Sequence, residues 1–125
     1  MPSAVHHVNL SVPVDGVPAM TSWLVDVLGY RPVPAGPEIS ALVASMGREL
    51  YWFEADDGHQ VHLSPSAEHA VVANAHTAIR CDDALDAVLA LLADRGLEPR
   101  ITAFDGERHA FVADPAGNLW ELVGP

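Results

Sequence analysis

Gly58-His59-Gln60-Val61-His62-Leu63 and Gly117-Asn118-Leu119-Trp120-Glu121-Leu122 are two readings of one pattern. Each starts at a glycine and sets a metal-ligating side chain four residues on, flanked on both sides by apolar residues, His62 in one and Glu121 in the other. Upstream the correspondence continues. His7-Val8-Asn9-Leu10-Ser11-Val12 leads into a stretch ending Val27-Leu28-Gly29-Tyr30, as His76-Thr77-Ala78-Ile79-Arg80-Cys81 leads into one ending Asp94-Arg95-Gly96-Leu97. A chain that repeats itself is built from two copies of one unit, here about 4–64 and about 74–124 of a single 1–125 domain.

The period of the apolar residues assigns the elements. Val8, Leu10 and Val12 alternate with His7, Asn9 and Ser11, the period-2 pattern of a strand with one face on a core. From Val17 the apolar positions become Met20, Leu24, Val27 and Leu28, the spacing of an amphipathic helix with Pro18 in its first turn and Gly29 just past its end. The second helix is expected to be capped by Asp82 or Asp83, to bury Leu85, Val88, Leu89 and Leu92, and to stop at Gly96. Further strands are predicted at 49–55, 59–64, 99–103, 109–113 and 119–123, with Asp56-Asp57-Gly58 and Asp114-Pro115-Ala116-Gly117 as turns. Residues 33–47 carry no clear period. The fold class is α+β, two βαβββ repeats forming a curved mixed sheet around a metal or ligand cup.

Composition narrows the partners. Half of the residues are apolar and 18% are charged, which suits a packed domain. Seventeen carboxylates face six cations, every one of them Arg, for a formal net charge of −11. So acidic a chain repels phosphate backbones and anionic lipid, which argues against nucleic-acid and membrane binding. No apolar run is long enough to span a bilayer and no secretory leader is visible. With one cysteine, Cys81, and hence no internal disulfide, the expected setting is cytoplasmic.

The neighbours of His7, His62 and Glu121 are apolar and belong under the helices, so these three side chains should face the other way; the same parity applies to His76. Four such residues at equivalent places in two repeats suit a divalent ion such as Zn, Ni, Co, Mn or Fe(II). A single histidine on a strand would ordinarily be a hydrogen-bonded sheet residue. Glu54, Arg80, Trp52 and Phe111 are further candidates for the substrate pocket: a proton shuttle, a partner for an anionic substrate and two aromatics. Each also fits a plainer role as strand-end carboxylate, surface ion pair or core aromatic. Of the other histidines, His109 sits at a strand position of uncertain parity, and His6, His59 and His69 read as exposed or turn residues.

These residues carry a resemblance. The His7-Val8 opening, the Asp26-Val27-Leu28-Gly29-Tyr30 helix end, the His76–Asp83 strand leading into Leu85-Asp86 and the closing Asp114-Pro115-Ala116-Gly117-Asn118-Leu119-Trp120-Glu121-Leu122 resemble the vicinal oxygen chelate superfamily. That superfamily includes glyoxalase I, methylmalonyl-CoA epimerase, fosfomycin-resistance proteins, type I extradiol dioxygenases and bleomycin-binding proteins. The resemblance implies ligands on the first and fourth strands of each module, here His7, His62, His76 and Glu121. It also implies Glu121 or His62 as the mobile catalytic base, and a homodimer. The match is partial. His62 stands where glyoxalase I places Glu and the epimerase Gln, and no Lys is present for a phosphonate. Phe111 replaces the dioxygenase Tyr three residues before the Asp-Pro turn, and residues 102–104 lack the expected His. Two functions stay open: a metal-dependent enzyme, glyoxalase-like lyase or isomerase or of dioxygenase type, chelating a small oxygenated molecule; or a non-catalytic binding protein of the antibiotic-resistance kind.

Overall fold

Alternating strands need a core against one face only. The computed structural model, which describes all residues from Met1 to Pro125, gives both repeats that form. The chain divides into two compact units, Met1–Ala70 and Val71–Pro125, and no helix is long and apolar enough to cross a membrane.

The first unit runs β1 (His7–Val12), α1 (Val17–Ser22), a π-helical turn (Trp23–Val27), β2 (Arg31–Val33), α2 (Pro37–Ser45), β3 (Tyr51–Glu54) and β4 (Gln60–Pro65). Its sheet has the order β1-β4-β3-β2, with β1 parallel to β4 and the other pairs antiparallel. Leu10, Val12, Phe53, Val61 and Leu63 are buried, and the alternate positions His7 and Asn9 are exposed. The helix differs from the plain α-helix expected. The Leu28 N–H donates to Trp23 C=O at 3.1 Å, an i→i−5 bond that inserts a wide turn while Met20, Trp23, Leu24 and Val27 all stay buried. Gly29 then takes φ +76°, as a residue just past a helix end does. Residues 33–47 hold the end of β2 and all of α2. A three-residue strand containing Pro32 and a helix with no buried residue leave no apolar period to read.

The second unit runs β5 (His76–Arg80), a 3₁₀ turn (Asp82–Ala84), α3 (Leu85–Asp94), β6 (Arg100–Phe104), β7 (Glu107–Ala113) and β8 (Leu119–Gly124). The order β5-β8-β7-β6, with β5 parallel to β8, repeats that of the first sheet. The capping expectation is corrected. Neither Asp82 nor Asp83 caps α3, because the 3₁₀ turn precedes it and places Ala84 at the N-cap with no side-chain bond. Asp82 sits at φ +48° and pairs with Arg80 instead. Leu85, Val88 and Leu92 are buried as the spacing requires, while Leu89 is only half-buried. Gly124 is where β8 meets the start of α3: a Cβ there would come within 2.8 Å of Asp82 O and Leu85 Cβ.

One carboxylate organises the β7–β8 turn. Asp114 is 5% exposed. Its Oδ1 accepts the backbone N–H groups of Ala116 (2.9 Å) and Asn118 (3.0 Å), and its Oδ2 accepts the indole N–H of the fully buried Trp120 at 2.9 Å. Burial raises its pKa from the ordinary carboxylate value, against the pull of these hydrogen bonds. Asp114→Ala leaves all three donors without this acceptor and should cost about 2–4 kcal/mol of stability. Chemical denaturation checks this, and an unchanged midpoint would refute the role.

Candidate functional site

In the second unit, strand pairing sets the site. On β7 and β8 Phe111 lies opposite Glu121, and His109 lies opposite Val123, two residues further along the same face. Across the parallel pair, Ala78 lies opposite Glu121, and the His76 side chain reaches the same carboxylate. His76 Nε2 is 3.0 Å from Glu121 Oε2, and His109 Nδ1 is 2.6 Å from Glu121 Oε1. The other nitrogen of His76, Nδ1, faces the Asn74 carbonyl at 3.1 Å. That is the usual support of a metal-binding imidazole, whose second N–H donates to a backbone carbonyl and turns Nε2 toward the ion. The Nε2–Oε2 spacing is that of a hydrogen bond or ion pair, and it also lies within the roughly 2.8–3.6 Å spanned by two donors that share one ion at ~2.0–2.2 Å. The Phe111 ring meets His76 edge-on at 5.8 Å and carries the Arg100 guanidinium at 4.8 Å on its face.

In the first unit, Trp52 lies opposite His62 across β3 and β4. Their rings stack at 4.3 Å and 5°, and His7 stacks on His62 at 4.2 Å and 13°. The Nε2–H of His62 donates to Gln60 Oε1 at 2.9 Å, leaving Nδ1 as the lone-pair nitrogen. Burial first, then the charges of His7 and His6, push the His62 pKa down to about 4. His7 Nδ1 lies 2.9 Å from His6 Nδ1. The two sequence-assigned histidines of this unit are therefore neighbours with parallel rings, which do not point at one common atom.

The four assigned ligands thus come together as two pairs, and nowhere do three or more His, Cys, Asp or Glu side chains gather to hold a metal. Glu54 is paired with Arg31 at 2.5 Å and takes a bond from Gln60 Nε2 at 3.3 Å, which occupies the proposed proton shuttle. Arg80 pairs with Glu107 and Asp82 at a side-chain exposure of 57%, the surface ion pair of its plainer reading. Cys81 is half-buried, and burial pushes its thiol up.

Two histidines are more engaged than their spacing suggested. His59 donates Nδ1–H to Asp57 and accepts the hydroxyl of the buried Tyr30 at Nε2, 2.6 Å away. His69 Nδ1 lies 2.8 Å from Ser11 Oγ. His109, whose parity the spacing leaves open, lies on the Glu121 face: Ala110 and Val112 are buried, and Phe111, two residues on, lies opposite Glu121.

Residues 4–122 match the family described as the Glyoxalase/Bleomycin resistance protein/Dioxygenase superfamily. The chain is 32% identical over 117 residues to a biphenyl-2,3-diol 1,2-dioxygenase of Rhodococcus globerulus, covering 85% of this chain and 56% of that protein. It therefore spans little more than half the length of that relative. Among solved structures, a protein from Bacillus anthracis assigned to the glyoxalase family superposes with a TM-score of 0.81 at 20% identity, covering 99% of this chain and 96% of the other. The fosfomycin resistance protein FosX of Mesorhizobium loti superposes with a TM-score of 0.72 at 20% identity, covering 100% and 94%. With the same strand order in both sheets and nearly the whole length matched, the chain belongs to the glyoxalase, bleomycin resistance and dioxygenase superfamily.

Proposed function

We propose that this chain is a metal-dependent enzyme of the superfamily, taking a divalent ion on His76 and Glu121 of the second unit, with His7 and His62 as the candidate ligands of the first, and acting on a small oxygenated molecule. The reaction class is that of a glyoxalase-like lyase or isomerase, or of a dioxygenase. The observation that carries it is Glu121, whose Oε2 lies beside His76 Nε2 at metal-sharing distance while Oε1 is held elsewhere. A bound divalent ion supplies Lewis-acid stabilisation of charge on two neighbouring substrate oxygens.

The chain's own groups then divide the work. His62, uncharged near neutral pH, offers Nδ1 as a proton acceptor, and Trp52 covers one face of its ring against water. Glu121 Oε2 is the second atom able to hold a proton. A purely sequestering role would be favoured by tryptophans lining a ligand cup. Trp23 and Trp120 are instead fully buried, leaving Trp52 alone available for that purpose. The setting proposed is cytoplasmic, and the working unit a homodimer. All five residues of β6 are exposed, Ile101 and Phe104 among them, which leaves an outer strand to protect.

Three measurements test this reading. Untagged protein incubated with Zn, Ni, Co or Mn and dialysed should retain about one equivalent by elemental analysis, and Glu121→Ala should lose most of it. His62→Ala should keep most of the metal yet change turnover. Retention below roughly a tenth of an equivalent for every metal overturns the assignment.

In metal-free protein, the His62 ring should titrate at about 4 by NMR. The unfolded chain takes up this proton near 6.5 and the fold refuses it, so stability should fall as pH drops from 6.5 to about 4 and then level off. His62→Gln should remove that component; an unaltered profile contradicts it. Light scattering at ~0.15 M salt, where screening acts beyond ~8 Å, should give twice the 13.3 kDa chain mass. A monomer mass rejects the dimer.

A further inference from the structure

A carboxylate on a strand has two oxygens and a freely turning end, and nothing in its own strand selects which oxygen meets a ligand. Glu121 does not have that freedom. The His109 ring, 13% exposed, donates Nδ1–H to Oε1 at 2.6 Å, and the Glu121 side chain is itself 14% exposed. His109 is in turn held flat against Phe104, at 3.9 Å between ring centroids and 11° between planes. Phe104 and His109 belong to the antiparallel pair β6–β7, so the clamp is carried on backbone already fixed by sheet hydrogen bonds. A short, charge-assisted bond from a ring that stacking keeps from rotating is a strong constraint on the carboxylate plane.

From this geometry we infer that His109 is a positioning residue for Glu121. It reserves Oε1, fixes the plane of the carboxylate and presents Oε2 alone beside His76 Nε2. The first unit has a counterpart at the equivalent strand. There His62 has Nε2 reserved by Gln60 Oε1 and Nδ1 left over. In both, a hydrogen bond from outside the assigned set occupies one atom of the fourth-strand side chain and leaves one. Phe111 opposite Glu121 matches Trp52 opposite His62, but no anchor like His109 faces His62 from β3, so the device in the second unit is specific to it.

The inference rests on the metal-binding role proposed above, and the test separates the two. His109→Phe keeps an aromatic ring against Phe104 and removes the N–H. His109→Asn restores an N–H near the place of Nδ1 without the ring. In metal-free protein, NMR of the Glu121 carboxyl carbon and the His76 ring nitrogens should shift in His109→Phe and return most of the way in His109→Asn. Zinc titration by calorimetry should show affinity falling about 10–100-fold in His109→Phe, as for other partners of ligating side chains, with His109→Asn recovering most of it. Near-UV circular dichroism and the thermal midpoint control for folding. Unmoved Glu121 and His76 signals in a folded His109→Phe protein overturn the positioning role whether or not zinc binds. Moved signals with unchanged zinc affinity confine Glu121 to a role outside the metal and also overturn the inference. Wild-type protein that takes no zinc sinks the metal assignment instead, and the metal-free signals then decide His109 by themselves.

Discussion

The buried carboxylate of Asp114 is the constraint on which the second unit depends. By taking two backbone N–H groups of its own turn and the Trp120 indole, it fixes where β7 stops and where β8 starts. Side chains on a strand alternate faces, so a slip of one residue in that register would send Glu121 into the core and Trp120 or Leu122 out of it. The pairing of Phe111 with Glu121, and the diagonal approach of His109, follow from this turn. Structural and chemical roles are thus linked through a group that touches no ligand.

The two units solve one problem with different side chains. Each places a fourth-strand group opposite an aromatic residue of the third strand, Trp52 with His62 and Phe111 with Glu121. Burial first, then the charges of His7 and His6, keep His62 uncharged near neutral pH. Glu121 instead sits between two imidazoles, His76 on Oε2 and His109 on Oε1. The departures from the family pattern noted in the sequence, His62 and Phe111, fall on these two opposed positions.

Two of the pocket candidates have strong partners within reach. Glu54 and Arg80 stood on the right strands for a pocket, yet each is held by an ion pair, Arg31 for the one and Glu107 for the other. Ion-pair partners come from neighbouring strands or turns, and no spacing along one strand announces them.

What the sequence determined by itself was whatever depends on local period and turn chemistry. The strands other than β2, the faces of His7, His62, His76 and Glu121, the left-handed Gly29 and Gly96, and the Asp114 turn are all written in short stretches, because strand alternation and glycine's freedom at positive φ act over a few residues. What only the tertiary structure decided was whatever depends on a partner distant in the chain. The π turn after α1 trades one hydrogen-bond register for another so that Trp23, Leu24 and Val27 can all be buried. The helix α2 buries no residue and so has no periodic signature. Tyr30 binds His59 across 29 residues and His109 binds Glu121 across 12, and such bonds exist only once register has brought the strands together.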